Sequence, residues 1–225
     1  MSNAKSPKLK YKRIIAKFGT NVLTAGSSKL DMEAMADLAG QVAKLHGEGA
    51  EVIVVTSGAI AAGRHRLGAK GGRKDMPYRQ VLAAVGQSDL MQAYQEMFGP
   101  HRITIAQTLL TKGDLTDRQG YLNARNTLLA MLELRVAPIV NENDVVAVDE
   151  IEGAKIGDND SLSALVANLV DADLLVLLTD IDGLYTADPR VTTAAERIER
   201  VDVIDARIEG LAAGTHRRGR MRRRG

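Results

Sequence analysis

Apolar runs and stretches of helical periodicity alternate along most of the chain. In residues 31–48, apolar side chains such as Met35 and Val42 recur at helical spacing, which predicts an amphipathic helix. Asp31 is its predicted N-cap. The following segment, Glu51–Thr56, is a run of β-branched residues too uniformly apolar for a half-exposed strand, and it is typical of a central parallel strand.

The same alternation predicts the other elements of the fold. We expect strands at residues 12–18, 103–107, 136–140 and 174–179, helices around 80–97, 122–134, 161–170 and 205–212, and a short hairpin arm at 144–151. The apolar strand at 174–179 is expected to be buried. Strands and helices that alternate at this spacing predict an α/β fold, an open, mainly parallel sheet with helices on both faces.

Composition places the chain among globular proteins. Hydrophobic residues make up 45% and charged residues 26% of its 225 residues, which is enough to bury a core. No apolar run approaches the roughly 20 residues of a membrane helix, and the N-terminus lacks the apolar stretch of a secretory signal. The absence of cysteine agrees with a reducing compartment, so we expect a cytoplasmic protein without membrane contact.

Charge is distributed unevenly along the chain. Six of the nine residues 217–225 are arginine, and without them 24 basic residues stand against 28 acidic ones. Such a tail can bind nucleic acid, but two Phe, five Tyr and no Trp provide few stacking platforms, so we expect no nucleic-acid partner. The predicted domains are a disordered or tag-derived segment 1–11, one folded domain 12–213 and an arginine-rich tail 214–225.

Small and polar residues follow several predicted strands. They are Gly19-Thr20-Asn21, Ser57-Gly58-Ala59, Asn141-Glu142-Asn143-Asp144 and Thr179-Asp180. Open parallel sheets bind ligands outside the carboxyl ends of their strands, where backbone N–H groups can approach an anion. The candidate site therefore lies at these strand exits.

Several common site types are disfavoured. The chain has no Walker phosphate loop, no spaced dinucleotide fingerprint and no pair of histidines at zinc-binding spacing. Ser57 lacks the nucleophile-elbow pattern of hydrolases.

Two charged residues remain open to two interpretations each. Lys17, near the end of the first apolar strand, either extends its side chain to the sheet edge or meets phosphate oxygens as a compact charge. Asp160 and Ser161 precede an apolar helix, where either is a candidate N-cap. The carboxylates of Asp158 and Asp160 exceed what capping needs, and they suit a substrate ammonium group, a lysine or a metal ion.

Seven collinear segments between residues 12 and 190 resemble the amino acid kinase family, most closely its members that phosphorylate glutamate. They include Ala16-Lys17-Phe18-Gly19-Thr20-Asn21, Val55-Thr56-Ser57-Gly58-Ala59-Ile60, Leu82-Ala83-Ala84-Val85-Gly86-Gln87, Tyr121-Leu122-Asn123-Ala124-Arg125-Asn126, Val140-Asn141-Glu142-Asn143-Asp144, Gly157-Asp158-Asn159-Asp160 and Leu178-Thr179-Asp180. The resemblance implies the kinase fold and transfer of the ATP γ-phosphoryl group to the side-chain carboxylate of L-glutamate, the first step of proline synthesis.

The resemblance also implies roles for individual residues. Lys17 would contact ATP and stabilise the transferred group, and Asp160 would organise the catalytic lysines. Ser57, Asp144 and Asn159 would bind glutamate, and Thr179 and Asp180 would lie at the nucleotide site. Mg²⁺ would accompany ATP without a protein cage, the chain would form a homodimer or homotetramer, and proline would inhibit by feedback.

The residue types suit this chemistry. A glutamate side chain, with a pKa of about 4.3, is ionised at neutral pH, so the reaction needs no general base. It needs positive charge and positioning, because an anion must approach a phosphate.

The resemblance ends after about Gly210. Met221 has Arg224 three residues on, where the family has a phosphate-binding lysine. We therefore expect an incomplete kinase domain. Two alternatives to an active glutamate-phosphorylating enzyme stay open. One is a catalytically impaired protein that still binds glutamate, and the other is a different member of the amino acid kinase family.

Overall fold

The computed structural model describes residues 9–69, 75–147 and 159–213. A five-stranded parallel sheet forms its centre. The strands are β1 (Arg13–Phe18), β2 (Glu51–Thr56), β3 (Ile105–Leu110), β4 (Ala137–Glu142) and β5 (Leu174–Leu178). They lie in the order β3-β4-β2-β1-β5, and every neighbouring pair is parallel.

Helices cover both faces of this sheet. They are α1 (Thr20–Thr24), α2 (Met32–Gly47), α3 (Ala59–Arg66), α4 (Met76–Phe98), α5 (Lys112–Thr116), α6 (Arg118–Glu133) and α7 (Asn159–Leu169), with a 3₁₀ turn at Gly99–His101. Side chains of β1 alternate between two cores: Phe18 packs with α2 and α4, whereas Ile15 packs with α6 and α7. The predicted α/β fold with helices on both faces of a parallel sheet is confirmed.

Three strands differ from prediction by more than one residue or in burial. β4 continues to Glu142, two residues past its predicted end, because its last two residues pair with β3. β3 begins at Ile105 rather than residue 103 and continues to Leu110, because its backbone pairs with β4 over all six residues. β5 was expected to be buried, but it pairs only with β1 among the described strands, and Val176 and Leu177 are exposed. An edge position leaves one side of β5 uncovered, which apolar composition alone does not reveal.

Helix starts follow their caps. The Asp31 carboxylate accepts a hydrogen bond from the Ala34 N–H at 2.9 Å, which confirms the predicted cap of α2. α4 begins four residues before the predicted residue 80, because the Asp75 carboxylate accepts from the Tyr78 N–H. The N-cap role predicted for Asp160 or Ser161 is wrong, since α7 already begins at Asn159.

Only the first part of the hairpin arm predicted at 144–151 lies within the described residues. Residues 144–147 form a turn, in which the Asn143 carbonyl accepts from the N–H groups of Val146 and Ala147. The rest of that segment lies outside the described residues. Within the described ranges, none of the helices is both long and apolar enough to cross a membrane.

Two glycines let α3 and α4 cross in backbone contact. A Cβ atom on Gly86 would lie 1.8 Å from the carbonyl oxygen of Ala59, and one on Gly63 would lie 1.9 Å from that of Leu82. Real carbon atoms do not approach so closely, so only glycine fits at either position. This contact fixes α4 against the beginning of α3, directly after β2.

Residues 181–213 belong to a compact unit distinct from the one that ends at Asp180. In it β6 (Leu184–Tyr185) pairs antiparallel with β7 (Arg197–Ile198), and α8 (Ala206–Ala213) follows. The Asp205 carboxylate caps α8 by accepting from the Ile208 N–H at 2.9 Å.

Asp173 anchors the beginning of β1. One carboxylate oxygen of Asp173 accepts from the backbone N–H groups of Lys12 at 2.7 Å and Arg13 at 2.8 Å. The bond from Arg13 has the larger effect and that from Lys12 the next largest. Together they hold the pKa of Asp173 below its ordinary value of 3.8. Because the ionised form is the bonded one, its contribution to stability is present above about pH 4 and is lost as the pH falls through the lowered pKa.

We therefore expect Asp173→Asn to lower the free energy of unfolding at pH 7. The difference from the wild type should shrink as the pH falls below about 4, where the wild-type carboxylate also becomes neutral. Urea unfolding curves between pH 7 and pH 3 measure this. Asp37→Asn, at an exposed position of α2, controls for the loss of one negative charge; a difference for Asp173→Asn that does not depend on pH would contradict the assignment.

Candidate active site

Lys17, the last residue but one of β1, has a buried side chain. Since side chains alternate along β1, Lys17 shares the face of Ile15, toward α7. The residue is 8% exposed, and its Nζ lies 2.5 Å from Oδ1 of Asp160 in the first turn of α7. The Asp160 side chain itself is half exposed. The structure therefore brings together the two residues predicted to be catalytic.

Glycines leave room around this pair. A Cβ on Gly19 would lie 3.5 Å from Lys17 Nζ and 3.2 Å from the Leu178 carbonyl oxygen, so the loop after β1 passes close to both. At the exit of β2, Gly58 has a φ of 101°, a conformation that favours glycine, and it turns the chain into α3. No side chain of the described residues caps α3, so the N–H groups of its first turn are available to an anion.

Asn159 joins the exits of β2 and β4. Its Nδ2 donates to the Thr56 carbonyl oxygen at 2.7 Å and to Ser57 Oγ at 2.9 Å, and it lies 3.2 Å from Asn141 Oδ1. Asn159 is 5% exposed, yet its Oδ1 has no hydrogen-bond partner in the described part of the chain. Ser57 and Asn159, both predicted to bind glutamate, are thus in direct contact.

Two residues of this network were not among the predicted site residues. Asn141 was recognised only as part of a polar segment after a strand, and its Nδ2 donates to Gln87 Oε1 at 2.9 Å. Gln87 belongs to α4 and is 9% exposed. A signal for it was present, because Gln87 is a polar residue at the helical spacing of the buried residues Ala83, Leu90 and Tyr94.

Tyr94, which is fully buried, supports the end of β2 through its last residue, Thr56. Its hydroxyl lies 2.6 Å from Thr56 Oγ1. Complete burial raises the pKa of Tyr94, outweighing the opposite effect of the hydrogen bond with Thr56, so the hydroxyl stays protonated. α4 therefore holds the ends of both β2 and β4 through buried polar side chains.

A polar cleft of about 350 Å³ opens at these strand ends. Ser57, Asp144 and Asn159 line it, so the three residues predicted to bind glutamate share one wall. The cleft is also lined by Thr20, Ser27, Ser28, Gly58, Ala59, Ile60, Ala61, Arg64, Arg79, Asn141 and Glu142. Arginine and acidic side chains both line the cleft, which suits a ligand that carries carboxylate and ammonium groups together.

Thr179 and Asp180 follow β5 and are not among the residues that line the polar cleft. Asp180 Oδ2 accepts from Asn21 Nδ2 at 2.8 Å, and Thr179 Oγ1 donates to Asp180 Oδ1 at 3.2 Å. The Gly19 N–H donates to the carbonyl oxygen of the preceding Leu178 at 3.0 Å. The two predicted nucleotide residues thus lie beside the loop that follows Lys17, on the other side of it from Ser57.

The carboxylates of Asp158 and Asp160 were predicted to suit an ammonium group, a lysine or a metal ion. Asp158 lies outside the described residues. In the part of the chain that the structure describes, no group of three or more His, Cys, Asp or Glu side chains is arranged to hold a metal ion.

Comparison with known proteins places the sequence in a family. The model described as "Amino acid kinase family" matches residues 12–222. A protein named "Glutamate 5-kinase" from Dehalococcoides mccartyi (strain ATCC BAA-2266 / KCTC 15142 / 195) is 62% identical over 205 residues, which cover 91% of this chain and 55% of that protein.

Two further proteins of the same name come from other bacteria. That of Herpetosiphon aurantiacus is 53% identical, over 92% of this chain and 56% of the relative, and that of Geobacter sulfurreducens is 51% identical, over 92% and 54%. The chain spans about half the length of the curated relatives it matches. Because the family model covers nearly all of the sequence, the chain belongs to the amino acid kinase family.

Proposed function

We propose that this chain forms the kinase part of a glutamate 5-kinase, which transfers the γ-phosphoryl group of ATP to the side-chain carboxylate of L-glutamate. The similarity to proteins of that name, at 62% and 58% identity, supports the choice of substrate within the family. The observation that carries the proposal is the buried Lys17, paired with Asp160 at 2.5 Å, beside a polar cleft lined by Ser57 and Asn159.

The phosphoryl group is assigned to the end of β1. Lys17 presents a compact positive charge there, and Asp160 holds its ammonium group in place. The uncapped N-terminus of α3, reached through Gly58, adds backbone N–H groups at the adjacent strand exit. These groups act by stabilising negative charge on the transferred group rather than by moving a proton.

Glutamate is assigned to the polar cleft. Asp144 brings a carboxylate to its wall, which suits the substrate ammonium group, while Arg64 and Arg79 bring positive charge for a carboxylate. Ser57 follows β2, the strand that pairs with β1, and Asn159 precedes Asp160, the residue that contacts Lys17. In this orientation the substrate side chain points toward the phosphoryl group.

The proposed reaction is a single displacement at phosphorus. An oxygen of the ionised glutamate side chain forms a bond to the γ-phosphorus as the bond from that phosphorus to the β–γ bridging oxygen breaks. The bridging oxygen keeps the electron pair and leaves as part of ADP, and the product is γ-glutamyl phosphate. No proton moves, because a carboxylate with a pKa of about 4.3 is already a nucleophile at neutral pH.

Mg²⁺ is part of the proposal as a companion of ATP. The described residues fit an ion bound mainly by the nucleotide, since magnesium sites at phosphates commonly use one or two carboxylates plus phosphate oxygens. When bound, the ion neutralises phosphate charge. Thr179 and Asp180, beside the loop after Lys17, are proposed to contact the nucleotide.

Four further properties belong to the same proposal. We propose a cytoplasmic protein that forms a homodimer or homotetramer and is inhibited by proline, in keeping with the family resemblance. The division into a segment 1–11, a kinase domain 12–213 and a tail 214–225 also stays a prediction.

Substrate-dependent ADP release tests the proposed function. With Mg-ATP, we expect release to require L-glutamate and not aspartate, acetylglutamate, uridylate or carbamate. Binding of L-glutamate is measured in parallel by calorimetry. Glutamate binding without turnover would support the alternative of a binding protein, whereas turnover of another substrate of the panel would assign the chain to a different activity within the family.

Asn159→Ala is expected to weaken glutamate binding at least about tenfold. The substitution removes both the amide that holds Ser57 and the buried Oδ1 that faces no protein donor among the described residues. Asn168→Ala, at an exposed position of the same helix, is the matched control and should bind as the wild type does. Equal affinities of the two variants in calorimetry would remove Asn159 from the site.

A further inference from the structure

A chain of three buried amides crosses from α4 to α7. Gln87 Oε1 accepts from Asn141 Nδ2 at 2.9 Å, and Asn141 Oδ1 lies 3.2 Å from Asn159 Nδ2. All three residues are at most 9% exposed. Asn141 and Asn159 line the polar cleft, while Gln87 stands behind them. We call Gln87, Asn141 and Asn159 the amide relay.

Backbone groups fix the polarity of the amide relay. The Glu142 N–H, which can only donate, lies 2.9 Å from Asn141 Oδ1, so the oxygen of that amide must face it. The Nδ2 of Asn141 then faces Gln87. Because Nδ2 donates, the Gln87 atom that it meets must be the oxygen, Oε1. At the other end, the Thr56 carbonyl can only accept, so Asn159 must direct its Nδ2 inward.

With this orientation, one polar atom at each end of the amide relay has no hydrogen-bond partner among the described residues. Gln87 Nε2 and Asn159 Oδ1 are buried, and neither has a hydrogen-bond partner in residues 9–69, 75–147 and 159–213. A buried acceptor without a donor is costly, and Asn159 lines the cleft. A ligand that offers a donor there would satisfy it.

We propose that Gln87 is a positioning residue for the amino-acid site, which rests on the proposed function. By accepting from Asn141 Nδ2, Gln87 keeps Asn141 Oδ1 turned toward Asn159, so that Asn159 presents its Oδ1 to the ammonium group of the ligand. Gln87 does not touch the ligand. It acts through two amides: without it Asn141 Nδ2 loses its acceptor, and Asn141 is held through its Oδ1 alone and orients Asn159 less firmly.

Gln87→Met and Gln87→Glu separate this role from packing. Methionine keeps the length of the side chain but offers no comparable acceptor, so we expect the dissociation constant of L-glutamate to rise about three- to tenfold. Glutamate at position 87 keeps an oxygen for Asn141 Nδ2 and should retain affinity nearer to that of the wild type. Gln92→Met makes the same substitution at an exposed position of α4 and should leave the affinity unchanged.

Glutarate distinguishes the ammonium group from the rest of the ligand. It keeps both carboxylates of glutamate and lacks the amino group. We expect Gln87→Met to weaken binding of glutamate by a larger factor than binding of glutarate. Equal factors for the two ligands, or an equal loss of glutamate affinity in Gln92→Met, would overturn the proposal.

Side-chain amide exchange tests the amide relay without ligand. In the wild type we expect slow hydrogen exchange at the NH₂ groups of Asn141 and Asn159, faster exchange in Gln87→Met, and no change in Gln92→Met. Unchanged exchange in Gln87→Met overturns the proposal whatever the ligand data show. If the wild type binds no glutamate while Gln87→Met still loosens these amides, the proposed function fails and the positioning role of Gln87 is supported.

Discussion

Lys17→Ala should lower the rate of glutamate-dependent ADP release by about 10²–10³, the usual cost of removing one preorganised group that stabilises transition-state charge. The ammonium group of Lys17 is the buried positive charge at the exit of β1. Its removal leaves Asp160 half exposed to water, so the fold should lose little stability. Glutamate affinity should change little, because Lys17 is assigned to the phosphoryl group. A coupled assay for ADP measures the rate.

Two variants sharpen this result. Lys44→Ala removes an exposed lysine of α2 and should keep the wild-type rate. Lys17→Arg keeps the charge but replaces a compact ammonium group with a planar guanidinium, and we expect it to restore only part of the activity. A Lys17→Ala protein that is folded and turns over at the wild-type rate would remove Lys17 from the chemistry.

Gly86→Ala should destabilise the protein by about 3 kcal/mol or more, at the upper end of the cost of overpacking. The new methyl group would lie 1.8 Å from the carbonyl oxygen of Ala59 and 2.3 Å from the backbone nitrogen of Gly63. Backbone atoms cannot rotate out of the way as side chains do, so the two helices must separate. Urea unfolding gives the free energy directly.

Gly40→Ala is the matched control for this change. Gly40 also lies inside a helix, α2, but a Cβ there meets nothing within 4 Å among the described atoms. Alanine favours helices over glycine, so we expect a gain of about 0.5–1 kcal/mol. If Gly86→Ala proved as stable as Gly40→Ala, the backbone contact between α3 and α4 would be refuted.

Separation of α3 from α4 should also reach the site. Gln87 follows Gly86 directly, so a displaced α4 carries the acceptor of Asn141 with it. Glutamate affinity should therefore fall in Gly86→Ala and not in Gly40→Ala.

Most of the sheet and the location of the site could be predicted from the sequence, because both depend on local patterns. Apolar runs located all five strands, and the polar residues after them indicated which edge carries the site. Lys17 could be singled out since a lysine inside an apolar strand is unusual. Its partner could not be chosen from the pattern, because that depends on which face of β1 the side chain occupies and on which helix covers that face.

Features that depend on packing between distant elements were not predictable in this way. Gln87 contacts Asn141 across 54 residues of sequence, and only the fold makes that contact. The edge position of β5 depends on strand order, which apolar composition does not encode. The start of α7 at Asn159 rather than Asp160 turned a predicted cap into a residue of the first turn, where its carboxylate reaches Lys17.

The first turn of α7 has a thermodynamic consequence. Asn159 contacts Ser57 in the proposed glutamate site and Asp160 contacts Lys17, which is proposed to bind the phosphoryl group, and the two residues are adjacent in one helical turn. Because one helical turn carries both residues, a ligand that moves one of them also moves the other. We therefore expect the two substrates to bind with coupled affinities, each changing the affinity for the other by the same factor.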